Sequence, residues 1–188
     1  MTALTPANQL TLLRMFLIPA FVILVVYGYL GWALVVFVTA GITDALDGLI
    51  ARRSGQKTSL GAWLDPMADK LLLATTFVLL TLPGLGLANR LPIWLTVLII
   101  FRDVGIVLTV AIVNLAIGPR TFRPSTLGKV ATATYIVTAV GAMWFNYLGY
   151  HSVVFDLLVY TSLLITLASG FDYLWHASRL IEASSVGK

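Results

Sequence analysis

Apolar residues fall into six long runs along this chain, parted by short polar or Gly/Pro-marked breaks. The runs cover about residues 10–29, 32–51, 61–82, 91–117, 127–147 and 153–175. Some twenty residues at ~1.5 Å rise cross a hydrocarbon core of about 30 Å, so each run predicts one membrane-spanning helix. The breaks carry their own signals: a tight turn at Gly28–Gly31, Pro83-Gly84 after the third run, and Gly118-Pro119 after the fourth. Residues 1–9 are polar, and Thr5-Pro6 marks a helix start, because proline's missing N–H goes unused at the first helical position. They predict a short N-terminal juxtamembrane helix leading into the first span. A cleaved signal peptide is the competing reading; the first run is too long for its apolar region, and no small-x-small cleavage site follows it cleanly. The expectation is an all-α integral membrane protein of six transmembrane helices, a single domain over residues 1–188.

Composition sharpens this picture. The chain is 59% hydrophobic and 11% charged, where soluble domains run at about 45–50% and about 25%. There is no cysteine, which excludes disulfide and thiol chemistry. The net charge of +4 is no nucleic-acid footprint, because the cations cluster in alternate loops. Arg52, Arg53 and Lys57 follow the second run, Arg120, Arg123 and Lys129 follow the fourth, and Arg179 and Lys188 lie in the tail. The other loops hold only Arg90. The positive-inside rule then puts both termini in the cytoplasm. Tryptophan placement agrees: Trp32, Trp94 and Trp144 fall at outer ends, Trp63 and Trp175 at inner ends, as interfacial belts require.

Candidate chemistry is concentrated in one stretch. Four of the eight acidic residues, Asp44, Asp47, Asp65 and Asp69, sit within the second and third runs, where a lone carboxylate is expensive. Spacings of three and four put each pair on one helix face. Counting from the connecting loop puts both pairs at a similar depth, in the inner half of the bilayer. Small residues at Gly48, Ala51, Gly61, Ala62 and Ala68 would let the two helices approach closely. Four converging carboxylates repel one another unless a cation joins them. All-oxygen ligation with no His or Cys nearby favours Mg²⁺ or Mn²⁺, as one or two ions. Two other uses stay open at this point: structural ion pairs with Arg52, Arg53 and Lys70, or the ion path of a small cation transporter.

The full pattern, Asp44-x-x-Asp47-Gly48-x-x-Ala51-Arg52 followed by Gly61, Asp65 and Asp69, matches every position of the CDP-alcohol phosphatidyltransferase signature. Asn8-x-x-Thr11-x-x-Arg14 resembles that family's N-terminal motif, and Ser169-Gly170-x-Asp172-Tyr173 its last helix. The resemblance covers nearly the whole chain. It implies a multi-pass protein of the bacterial inner membrane, a homodimer with a cytoplasm-facing site holding two Mg²⁺ or Mn²⁺ ions. There an alcohol attacks CDP-diacylglycerol and CMP leaves. By resemblance, Asp44, Asp47 and Asp65 ligate metal, and Asp69 ligates metal or acts as base on the attacking hydroxyl. The nucleotide and CDP-lipid would meet Asp44, Gly48, Arg52 and Gly61, with Thr58 and Ser59 as further loop contacts.

The acceptor is read from the second basic cluster. Arg120, Arg123, Ser125 and Lys129 suit an alcohol bearing a phosphate, such as glycerol 3-phosphate. Topology alone also accounts for Arg120 and Arg123. Gly128-Lys129 resembles the Gly-Lys of phosphatidylglycerophosphate synthases, which implies phosphatidylglycerol phosphate as product. Two positions depart from that pattern. Ala131 stands where a second lysine is usual, and Arg102-Asp103 replaces Arg-Glu in the fourth helix. The Arg-Asp form resembles cardiolipin synthases, whose acceptor is phosphatidylglycerol; phosphatidylinositol-phosphate synthases are a further alternative. Neighbouring helical positions point about 100° apart, so Arg102 is expected to face a polar cavity and Asp103 to meet a cation from another helix. His151, His176 and Asp156 are expected to be bystanders.

Overall fold

The computed structural model describes residues 6–54, 59–117 and 125–186; among those left outside are the side chains of residues 44–54 and 59–69. The described residues form six α-helices and no strands: α1 (Pro6–Val26), α2 (Leu30–Ser54), α3 (Ser59–Thr81), α4 (Ile93–Ile117), α5 (Thr126–Leu148) and α6 (Val153–Val186). The all-α expectation therefore holds for them. A separate juxtamembrane helix does not: α1 runs unbroken from Pro6, with Pro19 inside it. The polar residues at its start are good enough helix formers to continue the hydrogen-bond ladder without a break. α6 also outruns its apolar segment, reaching 34 residues.

Helix ends follow local chemistry. The α1–α2 turn is a Schellman motif. The Tyr29 N–H donates to the Leu24 carbonyl at 2.8 Å and the Gly28 N–H to Val25 at 3.1 Å. Gly28 sits at φ +79°, a left-handed conformation that side chains disfavour. Gly149 closes α5 similarly, at φ +74° and with its N–H on the Phe145 carbonyl. At the other end of α5, Ser125 is an N-cap: its Oγ accepts the Gly128 N–H at 3.0 Å.

The chain divides into two compact units, residues 1–90 with 139–152, and residues 91–138 with 153–188. In the first, α1 packs against both α2 and α3, which also touch each other. Phe21 of α1 meets Phe37 of α2 with ring centroids 6.0 Å apart. Gly31 lets the start of α2 lie against Tyr147: a Cβ there would come to 2.9 Å of the ring. The loop before α4 is tied to the last turn of α5 by a buried asparagine pair. Asn89 N–H donates to Asn146 Oδ1 at 2.7 Å, and Asn146 Nδ2 returns a bond to the Asn89 carbonyl at 2.9 Å. Asn89 Nδ2 also donates to the Tyr150 carbonyl at 2.7 Å.

In the second unit α4 packs against α6. The buried face of α6 carries Phe155, Val159, Ser162, Thr166 and Ser169, a helical repeat of fours and threes. Its hydroxyls make interhelical rungs. Thr138 Oγ1 and Ser162 Oγ are 2.8 Å apart, as are Tyr135 Oη and Thr166 Oγ1. Tyr173 Oη donates to the Ile106 carbonyl of α4 at 3.3 Å.

The core is mostly apolar but holds many polar side chains, and large apolar side chains are widely exposed. Arg14, Thr76, Asn89, Thr138, Asn146, Ser162, Thr166 and Ser169 are buried, while Phe16, Phe101, Val153, Leu157, Leu164 and Phe171 are exposed. Apolar burial cannot drive helix association in lipid, where polar rungs and close packing must serve instead. The segment Val153–Trp175 is long and apolar enough to cross a membrane; Leu12–Val26, Leu30–Thr43 and Lys70–Thr81 are shorter apolar helices. Trp32, Trp94, Trp144 and Trp175 are all exposed, as interfacial anchors are; the Trp63 side chain lies outside the described residues.

Candidate functional site

The four aspartates lie on two helices that are in contact within the first unit. Asp44 stands ten positions before the end of α2, and Asp69 ten positions after the start of α3. At ~1.5 Å per residue both are about 15 Å from the adjoining helix ends. Asp47 and Asp65 form a second matched level nearer those ends. The side chains of Asp44, Asp47, Asp65 and Asp69, and of Arg52 and Ser59, lie outside the described residues, as do Gly48 and Gly61 beyond their places in α2 and α3. Thr58, Arg120 and Arg123 fall wholly outside. No group of three His, Asp or Glu that could hold a metal occurs among the described side chains.

Arg14 completes the first unit. It is fully buried on α1, the helix that packs on both acid-bearing helices. A cation sealed at such a position needs strong electrostatic compensation. The spacing Asn8, Thr11, Arg14 carried the signal: steps of three put all three on one face of α1.

The described part of the acceptor cluster is the beginning of α5. Ser125 caps the helix, and its carbonyl accepts the Lys129 N–H at 3.2 Å. Lys129 is exposed one turn in, at the positive end of the helix dipole, where an anion is favoured. Arg102 reaches this turn from α4. An ideal Cβ on Gly128 would lie 3.4 Å from both Arg102 Nη2 and Ser125 Oγ.

Arg102 Nη1 meets Asp103 Oδ1 at 2.6 Å, so an ion pair joins these two chain neighbours. The long arginine stem swings across the 100° step between the two positions, and Nη2 bonds Ser169 Oγ on α6. The cavity Arg102 lines is not the polar one expected: about 340 Å³ between α4 and α6, lined in part by Phe101, Arg102, Gly105, Thr166 and Gly170. Its walls are largely apolar. Ser169 and Tyr173 thus act here as interhelical partners, a role that sequence spacing on α6 alone could have suggested.

A family model described as CDP-alcohol phosphatidyltransferase matches residues 4–170. The chain belongs to this family. It is 35% identical over 182 residues to a probable phosphatidylglycerophosphate synthase of Mycobacterium tuberculosis, covering 92% of this chain and 81% of that one. It is 32% identical over 197 residues to human cardiolipin synthase (CMP-forming), covering 95% of this chain and 63% of the human protein. A cardiolipin synthase (CMP-forming) of Streptomyces coelicolor is 37% identical over 135 residues, 69% of this chain and 60% of that one. This CDP-alcohol phosphatidyltransferase is therefore a membrane-associated enzyme of phospholipid biosynthesis, with a CDP-alcohol donor and an alcohol acceptor. The cation-transporter reading falls.

Proposed function

We infer that this enzyme transfers the phosphatidyl group of CDP-diacylglycerol to glycerol 3-phosphate, releasing CMP and forming phosphatidylglycerol phosphate. The observation that carries the choice of acceptor is the cationic, N-capped start of α5, where Ser125 and Lys129 stand beside the α4 arginine. A phosphomonoester is the acceptor chemistry that uses such a turn best. Similarity to the mycobacterial synthase over most of both chains supports the same reading.

The acceptor hydroxyl oxygen bonds to the lipid-side phosphorus of the pyrophosphate. The P–O bond to the CMP phosphate breaks, and the hydroxyl proton passes to Asp69. Arg52 meets pyrophosphate oxygens, Gly48 and Gly61 leave room for the nucleotide, and Thr58 and Ser59 contact it. Arg120 and Arg123 join Ser125 and Lys129 around the acceptor phosphate. A donor set of four carboxylates, Asp44, Asp47, Asp65 and Asp69, fits two Mg²⁺ or Mn²⁺ ions, which would neutralise charge developing on the leaving oxygen. Six spans, cytoplasmic termini, one domain, a homodimer and a bacterial inner-membrane location complete the reading. The basic loops and the outward apolar residues support the spans and their orientation.

A second reading has its own support. The Arg102–Asp103 pair and the cardiolipin synthase relatives favour phosphatidylglycerol as acceptor. The test is CMP release from CDP-diacylglycerol with divalent metal and, side by side, glycerol 3-phosphate, phosphatidylglycerol and inositol phosphate. Glycerol 3-phosphate should give the highest kcat/KM. Turnover with phosphatidylglycerol alone would replace the first reading by the second.

A further inference from the structure

Arg102 lies in an apolar helix, and its side chain is only 9% exposed. Three helices converge on its guanidinium. Asp103 of α4 holds Nη1, Ser169 of α6 holds Nη2, and Gly128 in the first turn of α5 faces Nη2 so closely that a Cβ there would come to 3.4 Å. Its Nε is buried and finds no hydrogen-bond partner among the described residues. A buried ion pair is seldom the most stable filling for such a position, since apolar side chains of similar volume usually pack there at less cost. The charge therefore calls for a use other than stability. The neighbouring feature that gains from it is the start of α5, where backbone N–H groups, Ser125 and Lys129 already form a surface complementary to an anion. Asp103, 30% exposed, partly cancels that field.

We propose that Arg102 is a positioning residue of the acceptor site: it braces the first turn of α5 against α4 and α6, and its charge, moderated by Asp103, makes that turn select an alcohol carrying a phosphate. This rests on the assignment of Ser125 and Lys129 to the acceptor phosphate. The field argument gives opposite signs for the two partners. Arg102→Met removes the brace and the charge. Asp103→Asn keeps an oxygen for Nη1 to bond but removes the opposing charge. Ser169→Ala loosens only the α6 side of the brace.

Steady-state CMP release in reconstituted vesicles, with donor and acceptor varied separately, tests this. The acceptor is whichever phosphate-bearing alcohol the wild type uses. Arg102→Met should raise the acceptor KM at least tenfold and leave the donor KM within twofold. Arg102→Lys should recover most of that loss, and Asp103→Asn should lower the acceptor KM at least twofold. Ser169→Ala should raise it about threefold, and it decides the matter alone if Arg102→Met does not fold. A merely structural role predicts the contrary: both charge variants harmful, with donor and acceptor affected alike. An acceptor KM within twofold of wild type in Ser169→Ala, or an increase in Asp103→Asn, overturns the proposal. If the wild type works with a phosphate-bearing acceptor while the variants leave its KM unmoved, only the role of Arg102 falls. If it releases CMP solely with alcohols that lack a phosphomonoester, phosphatidylglycerol included, the acceptor assignment falls as well.

Discussion

Asp69 is the acid whose proposed work is separable from binding, since the base is needed only when the acceptor attacks. Asn keeps the shape of the side chain and can still donate and accept hydrogen bonds, but it takes up no proton. Asp69→Asn should therefore lower kcat by about 10²–10⁴-fold, the usual scale of general-base loss, while CDP-diacylglycerol affinity changes little. CMP release together with direct CDP-lipid binding measures both; near-normal turnover would remove Asp69 from that role. The carboxylate set makes a companion prediction. Chelation with EDTA should abolish CMP release, and Mg²⁺ or Mn²⁺ should restore it, because hard oxygen ligands in this number suit those ions. Full activity in metal-free buffer would refute the metal assignment. At this scale the acids were legible because a charge within an apolar run announces itself. Arg102 and Asp103 were visible for the same reason, yet their pairing was not. Helical spacing gives the direction of a Cβ, while the reach of a long side chain depends on what lies across the helix interface, here Ser169.

The elements show where hydrophobic pattern stops being informative. Gly28 and Gly149 stand where their helices close, and Gly28 was readable as a turn residue. The helices themselves extend past the apolar runs, α2 to Ser54 and α6 to Val186. Hydropathy reports which residues prefer hydrocarbon, whereas the backbone ladder continues through any sequence of adequate propensity. The Asn89–Asn146 pair had no signal at all, because a contact between a loop and a distant helix end leaves no period in the sequence. Its energetics nonetheless make a firm prediction. Asn146→Leu preserves bulk but strands the buried N–H and C=O of Asn89. Each such group costs roughly 1–3 kcal/mol, so a loss of about 2–4 kcal/mol is expected. Thermal unfolding in detergent should show a markedly lower Tm, with metal-supported activity per folded molecule retained. An unchanged Tm would mean that solvent or lipid satisfies those groups.

For the whole molecule the governing fact is how many large aromatic and aliphatic side chains lie outside, around an apolar core that also seals hydroxyls, amides and an arginine. Water would expel such a surface; a bilayer solvates it. The loops then decide which way the protein faces. Residues 52–57 carry three cations, whereas the loop between α5 and α6 contains Gly149, Tyr150, His151 and Ser152 and none. Since the chain has no cysteine, single replacements report topology without a background. In intact spheroplasts, His151→Cys should react with a membrane-impermeant maleimide, because His151 is exposed in that loop. Gln56→Cys should react only after the membrane is opened. The opposite labelling pattern would invert the protein, and with it the side of the membrane from which CDP-lipid headgroups and a soluble phosphate acceptor must come. Agreement would leave the cationic loops on the side where the cell holds nucleotides and phosphorylated alcohols, as the proposed reaction requires.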